Sequence, residues 1–135
     1  MTEPTPSKVV ELVIGLDKNF NFMNFLHPDR PTRLSLDLSE RCELVFTLSD
    51  QLINAGWKFQ SRPIEFDRDY GINFSSFVWV AYSIDGGDPN PRTRFKVIYE
   101  DQRMGEYTYS LFMLDSHDQK IDLDPDIENG VGHVP

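Results

Sequence analysis

Glu106-Tyr-Thr-Tyr-Ser-Leu-Phe-Met-Leu114 decides the fold. Tyr107, Tyr109, Leu111 and Met113 fall on one side of an extended chain, and Glu106 and Thr108 on the other. That period of two is what a strand with one buried face requires, because successive side chains of a strand point to opposite faces. Asp115-Ser-His-Asp-Gln119 is a polar hairpin loop, and Lys120–Asp124 is predicted to pair back along the strand. Working outward, Thr93-Arg-Phe-Lys-Val-Ile-Tyr-Glu100 places Phe95, Val97 and Tyr99 on one face. Arg33-Leu-Ser-Leu-Asp-Leu38 alternates strictly, and Cys42-Glu-Leu-Val-Phe-Thr-Leu48 is a further well-marked strand.

The remaining segments are less regular. Val9–Leu16 is rich in β-branched residues, and Phe20-Asn-Phe-Met-Asn-Phe25 is predicted to close a hairpin with it. Trp57-Lys-Phe-Gln60 resumes the alternation, and Pro63-Ile-Glu-Phe66 continues it after a break. Phe74–Ile84 reads as a strand with bulky residues on both faces, closed by the breaker Asp85-Gly-Gly-Asp-Pro-Asn-Pro91. Asp50-Gln-Leu-Ile-Asn-Ala-Gly56 fits one helical turn with Asp50 as its cap and Gly56 as its stop. About eight short strands and no long helix predict an all-β fold, an antiparallel β-sandwich. One domain over 9–128 is expected, with a leader at 1–8 and a mobile tail at 129–135.

The chain has 135 residues, a net charge of −9 and 13% aromatic residues. That is enough apolar material for a core. The negative balance repels phosphate backbones and anionic lipid, so neither nucleic acid nor membrane is an expected partner. The single cysteine, Cys42, excludes an internal disulfide framework; it reads as a small buried apolar residue in a reducing compartment. No apolar run is long enough to span a bilayer and no secretory leader is visible, so a cytoplasmic protein is expected.

Chemistry concentrates in Ile121-Asp-Leu-Asp-Pro-Asp-Ile-Glu-Asn-Gly130. Asp124-Pro125 is the labile link. The proline nitrogen carries no hydrogen, so succinimide formation is closed to it. The Asp124 carboxyl lies one methylene from its own carbonyl carbon and can close on it as a five-membered anhydride, expelling proline. A fold that holds or protonates the site is needed to make this fast. The plainer reading is a strand that stops because proline cannot donate to the ladder. Asp88-Pro89 is an internal control in an exposed turn.

Other constellations are weaker. Asp122, Asp124, Asp126 and Glu128 alternate, but a calcium loop of the EF-hand type needs Gly and Glu where Ile127 and His133 stand. His27, His117 and His133 are scattered, so no zinc spacing exists, and no metal or cofactor is expected. No Gly-x-Ser-x-Gly is present, nor a phosphate loop. Trp57, Trp79 and Tyr82 form either a sugar-stacking platform or part of the filling between sheets.

Val45-Phe-Thr-Leu48, Ala55-Gly-Trp-Lys-Phe59, Gly105-Glu-Tyr-Thr-Tyr-Ser-Leu111 and Leu123-Asp-Pro-Asp-Ile-Glu-Asn129 resemble the DP-EP family of small bacterial proteins. They resemble the bacterial inclusion-body proteins more distantly. The resemblance covers roughly residues 40–130. It implies a self-assembling β-sandwich, a homo-oligomer, that cuts itself at Asp124-Pro125. Asp124 would then be the nucleophile or water-activator and Pro125 the leaving residue. In that family a lysine lies beside the cleaved aspartate. Here the strand expected next to the last one carries Glu106 and Thr108 on its polar face; Lys96, one strand earlier, and Lys120 are substitutes. Glu106 near Asp124 would raise one carboxyl pKa and supply a protonated acid. Three functions follow: self-cleavage in cis, assembly without catalysis, and carbohydrate binding.

Overall fold

The two-residue alternation becomes two sheets. The structure, a computed structural model, describes residues 8–16, 18–19, 22–24, 36–38, 40–67, 73–101, 106–123 and 126–129. Among these are ten strands and one short helix. The strands are β1 (Val9–Leu16), β2 (Phe22–Asn24), β3 (Leu36–Leu38), β4 (Cys42–Leu48), β5 (Lys58–Phe66), β6 (Val78–Trp79), β7 (Arg94–Tyr99), β8 (Glu106–Leu114), β9 (Lys120–Leu123) and β10 (Asp126–Asn129). The helix, α1, is Asp50–Asn54.

One sheet has the order β2-β1-β4-β7-β6. The other has β3-β10-β8-β5, with β9 also paired to β8. The all-β expectation is met. The purely antiparallel one is not, because β1 runs parallel to β4 and β10 parallel to β3. Parallel neighbours need a crossover. Here β2 and β3 lie between β1 and β4 in sequence, and β3 belongs to the other sheet. The chain alternates between sheets at β3, β4, β5 and β6, so the core closes only when both are present.

Side chains from both sheets fill that core. Leu12 and Ile14 of β1, Leu44 and Phe46 of β4 and Phe95, Val97 and Tyr99 of β7 are buried from one side. Phe59, Ile64 and Phe66 of β5 and Tyr107, Tyr109, Leu111 and Met113 of β8 are buried from the other. Phe46 stacks on Phe95 at 5.0 Å and meets Tyr109 at 5.8 Å, and Phe59 meets Phe95 edge-on at 4.9 Å. Offset and edge-to-face contacts of this kind are favourable beyond the area they bury. Buried Asn73 donates from Nδ2 to the Tyr107 hydroxyl at 2.5 Å, so neither polar group is stranded inside. Cys42 is buried, and burial pushes its thiol up to about 11. The thiolate is therefore scarce at neutral pH, as suits a packing residue.

Several local expectations shift. Ser49, not Asp50, caps α1: its Oγ accepts from the Leu52 N–H at 3.3 Å. Asp50 is the first helical residue and accepts instead from the Tyr82 hydroxyl at 2.9 Å. Gly56, at φ 95°, ends the turn in the left-handed conformation that glycine tolerates. The break expected before Pro63 is a register shift inside one continuous strand, between Phe59 and Ile64. Proline cannot donate to a ladder, so it sits where the ladder slips, and Gln60 Nε2 donates to the Met113 carbonyl at 3.0 Å. Only Val78–Trp79 of the expected strand over 74–84 is strand, with Phe74 bridged singly to Tyr99. Lys8, placed in the leader, is tied down: its Nζ lies 2.7 Å from Glu40 and its carbonyl accepts from the Glu43 N–H. Asn129, placed in the tail, pairs with Leu38. Residues 1–7, 130–135 and Leu34, for which a leader, a tail and an inward position are expected, lie outside the described residues. No helix among the described residues is long and apolar enough to cross a membrane.

Phe46 touches rings of both sheets, so Phe46→Ala is expected to lower unfolding free energy by about 3–5 kcal/mol in urea denaturation. A loss below about 1 kcal/mol would show that the two sheets do not depend on this ring.

Candidate functional site

The acidic closing segment is anchored to β8 at two places. β8 presents one edge to β5 and the other to β9 and β10 in turn. Leu111, Phe112, Met113 and Leu114 face Leu123, Asp122, Ile121 and Lys120 of β9. Thr108, Tyr107 and Glu106 face Asp126, Ile127 and Glu128 of β10. Between Leu111↔Leu123 and Thr108↔Asp126 stand two residues on each strand, 109 and 110 on β8 and 124 and 125 on the other. The antiparallel register is therefore the same on both sides, with no residue inserted or lost. Asp124 and Pro125 themselves lie outside the described residues.

The hairpin that sets this register is built locally. Asp115 Oδ1 accepts from the N–H groups of His117 at 2.8 Å and Gln119 at 2.9 Å. Asp118 takes a positive φ of 59°, which aspartate tolerates better than most residues. Those backbone N–H groups, Gln119 first, hold the Asp115 carboxyl below its ordinary pKa. This is a self-capped turn whose side chain does the work of an extra ladder bond.

Carboxylate-bearing residues crowd the ladder. Glu128 stands between Glu106 of β8 and Asp37 of β3, three acidic residues abreast on adjacent strands. Asp122 is exposed on β9, and Glu65 of β5 lies across β8 opposite Ser110. Among the described residues, no group of three or more His, Cys, Asp or Glu side chains is placed to hold a metal ion.

The expected neighbours of the Asp-Pro link are dispersed. Glu106 belongs to β8 as foreseen, yet it faces Glu128. It is four residues from Ser110 along the strand, about 13 Å at the usual rise. Lys96 is in β7, in the other sheet. Its neighbours Phe95 and Val97 face the core, so Lys96 faces away from it, and its Nζ lies 3.3 Å from Glu43. The structure does not bring Lys96 to β9 or β10. Lys120 opens β9 opposite Leu114 and is exposed. Sequence reasoning passed over Ser110 and Glu65. The signal for Ser110 was the polar face of β8; the register places it between the β9 and β10 pairings, with Glu65 of β5 on its other side.

The aromatic platform is divided as well. Trp57 packs edge-on against Phe22 at 5.9 Å. Trp79 sits at 6.1 Å from the core ring Phe95, whereas Tyr82 is covered by the Arg94 guanidinium at 4.1 Å. Arg94 also donates to Thr47 Oγ1 at 2.9 Å. Phe95 and Arg94 point to opposite faces of β7, so Trp79 and Tyr82 do not form one stacking surface.

No family model matches the chain, and no curated protein matches it.

Asp115→Ala is expected to lower the melting temperature at neutral pH. A depressed carboxyl pKa contributes stability above the ordinary aspartate range and loses it as pH falls through the lowered value. The gap between wild type and variant in a thermal scan therefore narrows on acidification. A gap that widens there would contradict this role.

Proposed function

We propose that the chain processes itself at Asp124-Pro125. The supporting observation is the unbroken register that anchors the residues on both sides of the link to β8. Fixed ends limit the conformations the link can sample, which is how positioning lowers a barrier. The segment is rich in carboxylate-bearing residues, with Asp122, Asp126 and Glu128 alternating along it.

The bond changes balance without a co-reactant other than water. An Asp124 carboxyl oxygen attacks the Asp124 carbonyl carbon, and the bond from that carbon to the Pro125 nitrogen breaks. The nitrogen takes up the carboxyl proton and leaves as a secondary amine. Water opens the cyclic anhydride to a terminal aspartate. Asp124 is nucleophile and proton source, Pro125 the leaving residue. Glu106, paired with Glu128, and Lys96, in the other sheet, take no part in these bond changes. The resemblance of residues 40–130 to the self-cleaving DP-EP proteins supports the same reading.

A second reading, assembly without scission, is favoured by the edge of the first sheet. β6 is an edge strand with Val78 54% and Trp79 36% exposed. The β5 edge of the other sheet carries Pro63 and the Arg62–Glu65 ion pair at 2.8 Å, the devices that blunt an edge. β6 itself has neither proline nor charge. Sedimentation velocity tests it: Val78→Lys should reduce any oligomer present, and a monomer at all concentrations would dismiss it.

Intact-mass spectrometry over days tests the first reading. In the folded protein, scission is expected at Asp124-Pro125 and not at exposed Asp88-Pro89, faster as pH falls, and absent in Asp124→Ala. Lys96→Ala should leave the rate unchanged. Equal scission at both links, or the same rate in denaturant, would mean that bond chemistry alone is at work.

A further inference from the structure

β10 is the one segment in the second sheet that is paired on both sides and joined to its neighbour by the labile link. It runs antiparallel to β8 through Asp126↔Thr108, Ile127↔Tyr107 and Glu128↔Glu106. It runs parallel to β3 through Ile127↔Leu36, Glu128↔Asp37 and Asn129↔Leu38. Among the described residues, β3 lies at the sheet edge and is paired through β10 alone. β9 does not depend on β10, since it has its own hairpin and the far half of β8. The two segments flanking residues 124 and 125 are thus anchored independently.

We propose that the slot between β3 and β8 is a strand-binding groove. Its occupant is the segment Asp126-Ile-Glu-Asn129, held in cis in the intact chain and in trans once the chain is cut. This rests on the reading that scission occurs at Asp124-Pro125. Processing then yields a two-chain protein instead of a released peptide, and the cut strand exchanges with that of a second copy. Backbone pairing on both flanks provides the hold, as in other additions of a strand to a sheet. In register, Ile127 is set opposite Tyr107.

The tether sets how firmly the strand stays. Four residues of pairing hold it. In the intact chain the link keeps the strand at high effective concentration, and scission removes the tether. The cut strand is accordingly bound but exchangeable.

The test does not depend on spontaneous scission. Asp88→Ala leaves Asp124-Pro125 as the single Asp-Pro link. The full-length variant is cut there by acid in denaturant and returned to native buffer beside an uncut control given the same treatment. Gel filtration and native mass spectrometry should find residues 125–135 co-migrating with 1–124. An isotope-labelled synthetic peptide of residues 125–135, added in excess, should replace the bound one. Loss of the peptide while the control regains its fold overturns the groove. Retention without replacement overturns exchange. Hydrogen exchange on the never-denatured intact chain gives an independent reading. Amides of 126–129 should be protected to the same degree as those of β8, and exchange at the rate of an unstructured chain overturns the proposal. Failure of native self-scission, by contrast, bears on the proposed function and leaves these outcomes intact.

Discussion

Phe46 of β4 lies between Phe95 of β7 and Tyr109 of β8, and with them it joins the two sheets through a layer of rings. Around it Phe59 and Phe95 meet edge-on, and Phe66 and Phe74 stack at 3.8 Å. Aromatic residues bring large buried area with little side-chain freedom to lose, which suits a chain of this length. Each ring arrives because a strand alternates. An error of one residue in register would turn the entire set outward. The position of every other element follows from this requirement.

The same requirement sorts the polar residues. β7 places Phe95, Val97 and Tyr99 inside, so Arg94 and Lys96 must lie outside, where Glu43 and Thr47 engage them. β8 places Tyr107, Tyr109, Leu111 and Met113 inside, so Thr108 is left exposed and Ser110 half-buried opposite Glu65. The outer faces of the two sheets point away from each other across the core. A lysine on one cannot serve chemistry on the other, whatever its distance in sequence.

Charge gives the closing segment its character. A protein with net charge −9 has to put many carboxylates somewhere, and this one sets Glu106, Glu128 and Asp37 side by side across three strands. In the proposed scheme scission and strand exchange both follow from the register that holds this segment against β8.

Much of the fold was legible in the residues. Cys42–Leu48 read as a strand, and alternation in Arg94–Tyr99 and Glu106–Leu114 showed two more with the inward set of each, because burial of one face leaves a period of two in any sequence. The breaker at 85–91 and the polar loop at 115–119 marked where strands end, since glycine, proline and Asx residues govern turns locally. The hairpins β1–β2 and β8–β9 were legible too, but long-range pairing was not. Nothing local makes β1 parallel to β4, makes β3 take β10 as its neighbour, or carries Lys96 away from the closing strands. Those are contacts between residues far apart in the chain, chosen by which faces must meet in a shared core. The sequence alone therefore determined which side chains are buried and which link is chemically weak. Tertiary structure decided what stands opposite that link's flanking residues, because register is settled by the packing of all strands together.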